Sequence, residues 1–307
     1  MGRANDIELI RTTGLPDPER RALERDVHRG VLERIRPGVL VRPGALDHLH
    51  PGERHHVLVR ASLHRIRVSD LVSHQSACAV LGLPLVGEAP MKVHVSDPTT
   101  THTRVTAWFV RHGTAARPPT AYIESGGLRT TGWARSAVDV AATRPLLESL
   151  AVVDQLLADR RTTPEALAAD LELRGSAQAK ARVAIEMGSA LSGSPAESVC
   201  RVRFRQVGAP EPVQQHEFRR PGGGTAVVDF WFPDQGVVVE VDGRAKYEDP
   251  TMLEGRSTAE AHWQEKRRED FVRSFPEVRF VVRLSWADLM QPDRVRAALR
   301  RAGVPCR

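Results

Sequence analysis

Thr225-Ala-Val-Val-Asp-Phe-Trp-Phe-Pro-Asp-Gln-Gly-Val-Val-Val-Glu-Val-Asp-Gly243 is the stretch on which the reading of this chain turns. Two runs rich in β-branched and aromatic residues flank Pro233-Asp-Gln-Gly, a turn signal, so the segment predicts an antiparallel hairpin. With the turn centred between Asp234 and Gln235, Asp229 falls opposite Glu240, and directly opposed residues stand about 5 Å apart at Cβ. Residues two apart on a strand share a face, so Asp242 points the same way as Glu240. Three carboxylates then converge on a strand otherwise built of valine, phenylalanine and tryptophan. Like charges this close raise each other's pKa. The usual relief is a divalent cation with oxygen ligands, Mg²⁺ or Mn²⁺, which makes Asp229, Glu240 and Asp242 candidate metal ligands. Lys246 follows Gly243 at a distance that lets its ammonium return to the cluster. The competing reading is an exposed edge hairpin whose acids face water, against which the valines at 237–239 and 241 argue for a central, buried strand.

Upstream, Ser192-Gly-Ser-Pro is the strongest domain boundary in the chain. Ser194-Pro-Ala-Glu197 then starts a helix. A Ser-x-x-Glu capping box accounts for Glu197 without chemistry, and the same position also offers a first-turn carboxylate to a site. Between about 134 and 193, Arg135 to Ala142, Leu146 to Leu157 and Pro164 to Leu173 place apolar residues at three- and four-residue intervals, predicting amphipathic helices. From 45 to about 125 the chain is rich in histidine: ten of its 12 histidines lie between His28 and His112. Spacings such as His48-x-His50 and His55-His56 match no helical metal motif, so exposed polar histidines are expected. Ser73 to Gly82 reads as a capped small-residue helix, and Met91 to Val95 and Val105 to Val110 alternate as strands. At the N-terminus, Asp17 is expected to cap a helix running from Pro18 to His28 and ending at Gly30. A strand–turn–strand around Pro37-Gly38 follows it. That order of elements suits the second half of a winged helix-turn-helix, or else a small α+β subdomain carrying solvated arginines.

Composition limits the alternatives. The chain has 307 residues, 41% hydrophobic and 27% charged, and no apolar run of spanning length, so a soluble cytoplasmic protein without membrane contact is expected. The polar start carries no signal-peptide pattern. Three scattered cysteines suit neither a disulfide framework nor a Cys-x-x-Cys metal site. The formal charge is +6, yet residues 194–307 hold 19 basic and 17 acidic side chains, so net charge is poor evidence for nucleic-acid binding. Of the 44 basic residues only Lys92, Lys180, Lys246 and Lys266 are lysines. Lys246 beside Glu240 and Asp242 therefore stands out.

Glu197 on a helix, Asp229, and Glu240-Val-Asp242-Gly with Lys246 resemble the PD-(D/E)xK nuclease superfamily, most closely its branch related to very-short-patch-repair endonucleases. The polar helix Trp263 to Phe271 and the strand and helix start Val278 to Leu289 fit the same likeness, which covers about 194–303. A strict motif has lysine at 242, where this chain has aspartate, and Lys246 is the candidate for the displaced lysine. Residues 1–190 look like the AbiEi family of type IV antitoxins and related regulators, through Arg29-Gly30, the Arg36-Pro-Gly-Val-Leu-Val hairpin and Ser73-His-Gln-Ser-Ala-Cys-Ala-Val-Leu-Gly-Leu. In that family a winged helix binds operator DNA and the following domain is associated with the antitoxin role.

The two resemblances imply an α/β chain, α+β overall, in three parts. Residues 1–44 are a winged-helix-like DNA-binding region, 45–193 an AbiEi-like α+β and helical region, and 194–307 a nuclease-like domain with a mixed sheet flanked by helices. The leading expectation is a metal-dependent DNA endonuclease or nickase, in phage defence or DNA repair. Asp229 and Glu240 hold Mg²⁺ or Mn²⁺ in that reading, Asp242 or Glu197 completes the shell directly or through water, and Lys246 orients the nucleophile or stabilises the developing oxyanion. Arg267, Arg268 and Arg283 are its candidate phosphate contacts. The alternative is a DNA-binding regulator or antitoxin with an inactive nuclease fold, using Arg20, Arg21, Arg25, Arg34 and Arg36 on DNA and a toxin or defence-system protein as partner. A third reading is a scaffold that sequesters such a partner.

Overall fold

A computed structural model describes residues 3–119, 121–174, 177–242 and 258–307, with side chains from 266 onward in the last segment. Residues 1–188 and 189–307 form two compact units. Both mix helices with sheets: of the three sheets, one is antiparallel and two are mixed. No helix among the described residues is long and apolar enough to cross a membrane.

The first unit opens with β1 (Ile10–Arg11), α1 (Asp17–His28), β2 (Glu33–Arg36) and β3 (Val39–Val41), the strands forming an antiparallel sheet in the order β1-β3-β2. Asp17 does not cap α1 as expected. The cap position falls on Pro16, and the Asp17 carboxylate, inside the first turn, pairs with Arg20. Gly30, at φ +74°, turns the chain out of the helix in a conformation that favours glycine. After α2 (Pro51–Ala61) comes a six-stranded sheet of β4 (Leu71–Val72), β5 (Val93–Asp97), β6 (Arg104–Val105), β7 (Phe109–Gly113), β8 (Tyr122–Ser125) and β9 (Leu128–Thr131), in the order β6-β7-β5-β4-β9-β8. The pairs β5/β7 and β4/β9 are parallel. The single strand expected over 105–110 is instead a hairpin. Thr106 exchanges backbone and side-chain hydrogen bonds with Phe109 and reverses the chain between β6 and β7.

Helices α3 (His74–Val80), α4 (Trp133–Thr143), α5 (Leu146–Ala158), α6 (Pro164–Arg174) and α7 (Gln178–Glu186) enclose a core of small and branched residues. Ala137, Val138 and Ala141 of α4 lie at its centre with Val152, Val153 and Leu156 of α5, all fully buried. The three- and four-residue spacing that predicted α4 to α6 is thus the spacing of their buried faces.

The second unit runs α8 (Pro195–Gln206), β10 (Val213–Arg219), β11 (Thr225–Phe232), β12 (Val237–Asp242), α9 (Thr258–Arg273), β13 (Phe280–Ser285), α10 (Trp286–Leu289) and α11 (Pro292–Arg301). Its sheet, β10-β11-β12-β13, is antiparallel up to β12 and parallel between β12 and β13. The β11–β12 hairpin has the expected centre, with Phe230 opposite Val239, Trp231 opposite Val238 and Phe232 opposite Val237. Gly236 closes the turn at φ +67°, where an added Cβ would come within 2.5 Å of the Glu277 carbonyl oxygen. Phe204 of α8 meets Phe230 and Phe232 edge-on, at 5.2 and 5.3 Å between ring centroids. Trp231 and Phe218 pack with Phe271 of α9 and with Phe275 just beyond it. The sheet therefore carries helices on both faces.

Candidate functional site

The acids singled out in the second unit are held one by one. The β11–β12 ladder stops at Phe230, and the Asp229 carboxylate, in place of a main-chain carbonyl, accepts the Val241 N–H at 2.8 Å. Glu240 pairs with Arg268 of α9 at 2.9 Å, its side chain 12% exposed. Asp242 stands 3.8 Å from Arg283 of β13, and Arg283 also pairs with Glu269 at 2.9 Å. Ser194 caps α8, but Glu197 does not return to the Ser194 amide as a capping box would: Ser194 Oγ accepts the Glu197 N–H and donates to its Oε1, while Oε2 takes the Gly193 N–H and the Gln215 amide, both at 2.9 Å. Burial raises the Glu197 pKa, and the nearby Asp229 charge adds to the rise against those hydrogen bonds. Burial, with Asp229 and Glu197 as neighbours, also drives the Cys200 thiol well above its ordinary range. Glu197 and Asp229 are thus brought together, whereas Glu240 and Asp242 each answer an arginine. No three of these four carboxylates gather their ligand atoms within 4.8 Å of one another. Lys246 lies outside the described residues.

Of the arginines assigned to DNA, Arg21 and Arg25 are exposed on α1, a helix with no fully buried residue. Arg20 pairs with Asp17, and Arg34 pairs with Glu24 at 2.5 Å. Arg267 is exposed on α9, whereas Arg268 and Arg283 are engaged with the acids already described. Arg36, expected on DNA, is buried instead. It is only 3% exposed and donates to Ser62 Oγ, the Ile35 carbonyl and the Met91 carbonyl at 3.2, 3.0 and 2.6 Å, with its guanidinium 5.1 Å from the centre of the Trp108 ring. The short β2–β3 hairpin turns this side chain inward, where it ties the hairpin to the chain around Met91. We expect Arg36→Ala to lower unfolding stability by about 1–3 kcal/mol, because it leaves the buried Ser62 hydroxyl and the part-buried Met91 carbonyl short of a partner. Urea unfolding followed by circular dichroism reads this, and an unchanged midpoint would contradict it.

The histidine-rich segment holds a site that the sequence spacing did not reveal. His55 and His56 are buried on α2, and His74 is 4% exposed at the start of α3, so the expectation of exposed histidines fails for all three. His74, His94 of β5 and His112 of β7 come together from separate elements. His94 and His112 lie diagonally on one face of the parallel β5/β7 pair, where Ser96 is opposite His112 and Val110 opposite His94. His94 Nδ1 is 3.0 Å from His112 Nε2, and the His74 ring stacks on His112 with centroids 3.7 Å apart and planes 14° from parallel.

A buried polar frame holds the rings. His74 Nδ1 contacts Ser73 Oγ at 3.0 Å and lies 3.9 Å from Asp139 Oδ2. Asp139, 2% exposed on α4, accepts both the Arg135 Nε bond at 3.1–3.2 Å and an ion pair with Arg174 of α6. His55 Nε2 meets Ser76 Oγ at 2.7 Å, and that hydroxyl also accepts the His94 N–H at 2.8 Å. Burial is the main cause that lowers every one of these histidines, His55 to about 3, His94 to about 4, His112 to about 2 and His74 well below its ordinary value. The imidazoles are therefore neutral at physiological pH. The available sequence signal was a histidine inside an apolar alternating strand, as in Val93-His94-Val95, rather than any fixed spacing.

Residues 71–187, which contain His74, His94, His112, Asp139 and Arg174, match the family described as the AbiEi antitoxin C-terminal domain. No curated protein matches the chain.

Proposed function

We propose that this chain is a DNA-binding regulator of the antitoxin type, in which residues 71–187 antagonise a partner toxin. The match of that segment to an antitoxin domain carries the reading. The N-terminal α1 and its hairpin, the second half of a winged helix-turn-helix in this proposal, present Arg21 and Arg25 to DNA phosphate, where such contacts set position rather than sequence. The 194–307 region is a PD-(D/E)xK-like fold that no longer cuts. Its support is the mixed sheet flanked by helices together with the engagement of each acid: Glu240 by Arg268, Asp242 beside Arg283, Asp229 by an amide and Glu197 by a cap.

A gel-shift assay on the promoter upstream of its own gene tests the regulator. Sequence-specific retention should survive competitor DNA and fall at least tenfold in Arg21→Ala/Arg25→Ala, with the folded content unchanged because both side chains are exposed. Retention that vanishes under competitor would overturn the operator role.

A further inference from the structure

We infer that His74, His94 and His112 form a binding site for a borderline divalent transition-metal ion, Zn²⁺ above all. One ring nitrogen from each lies within 4.8 Å of the others, and among the described residues this is the group of metal-capable side chains that gathers so closely. Tetrahedral zinc with nitrogen ligands at 2.0–2.1 Å separates those nitrogens by about 3.3 Å, a spacing close to the 3.0 Å between His94 Nδ1 and His112 Nε2, and ligation requires the His74 ring to turn out of its stack on His112. Imidazole alone, with no carboxylate in the set, selects zinc, cobalt, nickel or copper over Mg²⁺ and Ca²⁺.

Two further observations point to a ligand. His74 is buried, and its Nε2 has no hydrogen-bond partner, an orphaned nitrogen in a place where burying one is costly. Its other nitrogen is oriented by Ser73 Oγ with the Asp139 carboxylate behind it, the arrangement by which proteins fix the tautomer of a ligating histidine. His74 also holds φ at +53°, a backbone conformation unfavourable for any residue with a Cβ, and this aims its ring at His112. The charged groups facing the site are Asp139, Arg135 and Arg174 around His74, with Arg144 near His94. The guanidiniums disfavour protonated imidazole and so keep the lone pairs available. His94 and His112 are half-buried, which gives an ion a route in and leaves the fourth position to water. A bound ion would cross-link α3 to β5 and β7 inside the segment that matches the antitoxin domain. The inference stands whether or not that segment meets a toxin.

The test uses the full chain stripped with chelator and titrated with Co²⁺ and then Zn²⁺ alone. We expect about one ion per chain, with the ligand-field bands of a four-coordinate cobalt site that zinc displaces. The thermal midpoint should also rise by several degrees at a hundredfold excess of zinc over its dissociation constant. His94→Gln and His112→Gln should each weaken binding at least tenfold, whereas His48→Ala/His50→Ala, two exposed histidines, should leave it unchanged. Wild-type protein that gives no such bands and no thermal shift overturns the inference without recourse to any variant. So does binding that is indifferent to His94 and His112 or abolished by the His48/His50 change.

Discussion

Asp139→Ala should lower the unfolding free energy by about 3–5 kcal/mol, because removing one partner of a buried ion pair leaves charge without compensation. Two guanidiniums depend on this carboxylate: Arg135 one turn before it on the same helix and Arg174 at the end of α6, with side chains 9% and 14% exposed. Deleting Asp139 strands both beside the neutral histidines. It also removes the group behind His74 Nδ1, so α3, α4 and α6 lose their common polar anchor together. Urea denaturation monitored in the far ultraviolet measures the loss. A double-mutant cycle with Arg174→Leu should show coupling above about 1 kcal/mol, since residues in one ionic network are not additive. An Asp139→Ala midpoint within error of wild type would show that the two arginines find other partners and that the network does not hold the unit.

Acid should destabilise the metal-free protein steeply between about pH 6.5 and pH 5.5, by about 3 kcal/mol. Four enclosed histidines, His55, His74, His94 and His112, have strongly depressed folded-state pKa values, and burial lowers His56 and His64 as well. Their unfolded forms take up protons near pH 6.5 while the folded forms stay neutral, so the unfolded state binds more protons and stability falls as pH falls. Each contributes about 1 kcal/mol over that unit of pH, discounted for the partial exposure of His94 and His112. The loss continues downward until the folded-state values, about 4 for His94 and about 3 for His55, are reached. Denaturation curves at half-unit pH steps in the presence of chelator measure it. His55→Gln, which keeps a polar atom toward Ser76, should flatten the slope by about a third. A stability that is level across this window would mean that the rings are hydrated rather than enclosed.

Much of the backbone was legible because period and burial agree. The α4–α6 spacing marks faces that are buried, and Pro233-Asp-Gln-Gly centres its hairpin where the turn signal puts it. Legibility failed where a tertiary contact replaced a local one. Arg36 reads as part of a basic wing, yet two acceptors distant in sequence, Ser62 and Met91, draw it inside. The acids Glu240 and Asp242 read as mutually repelling ligands because Arg268 and Arg283, respectively 28 and 41 positions away in the chain, have no sequence signature as their partners. The histidine cluster is the extreme case. His74, His94 and His112 are joined by a parallel strand pair and a helix start, and only the sheet order β7-β5-β4 brings them together.

The central claim, a regulator of antitoxin type whose nuclease-like unit is silent, meets its most direct test in a single gel. The full-length protein is incubated with its own promoter fragment in Mg²⁺ or Mn²⁺ with excess competitor, and resolved under native and then denaturing conditions. The expected result is a retained complex containing uncut DNA, the same for wild type, Asp229→Ala and Glu240→Ala. Metal-dependent cleavage by the wild type that both substitutions abolish would contradict it.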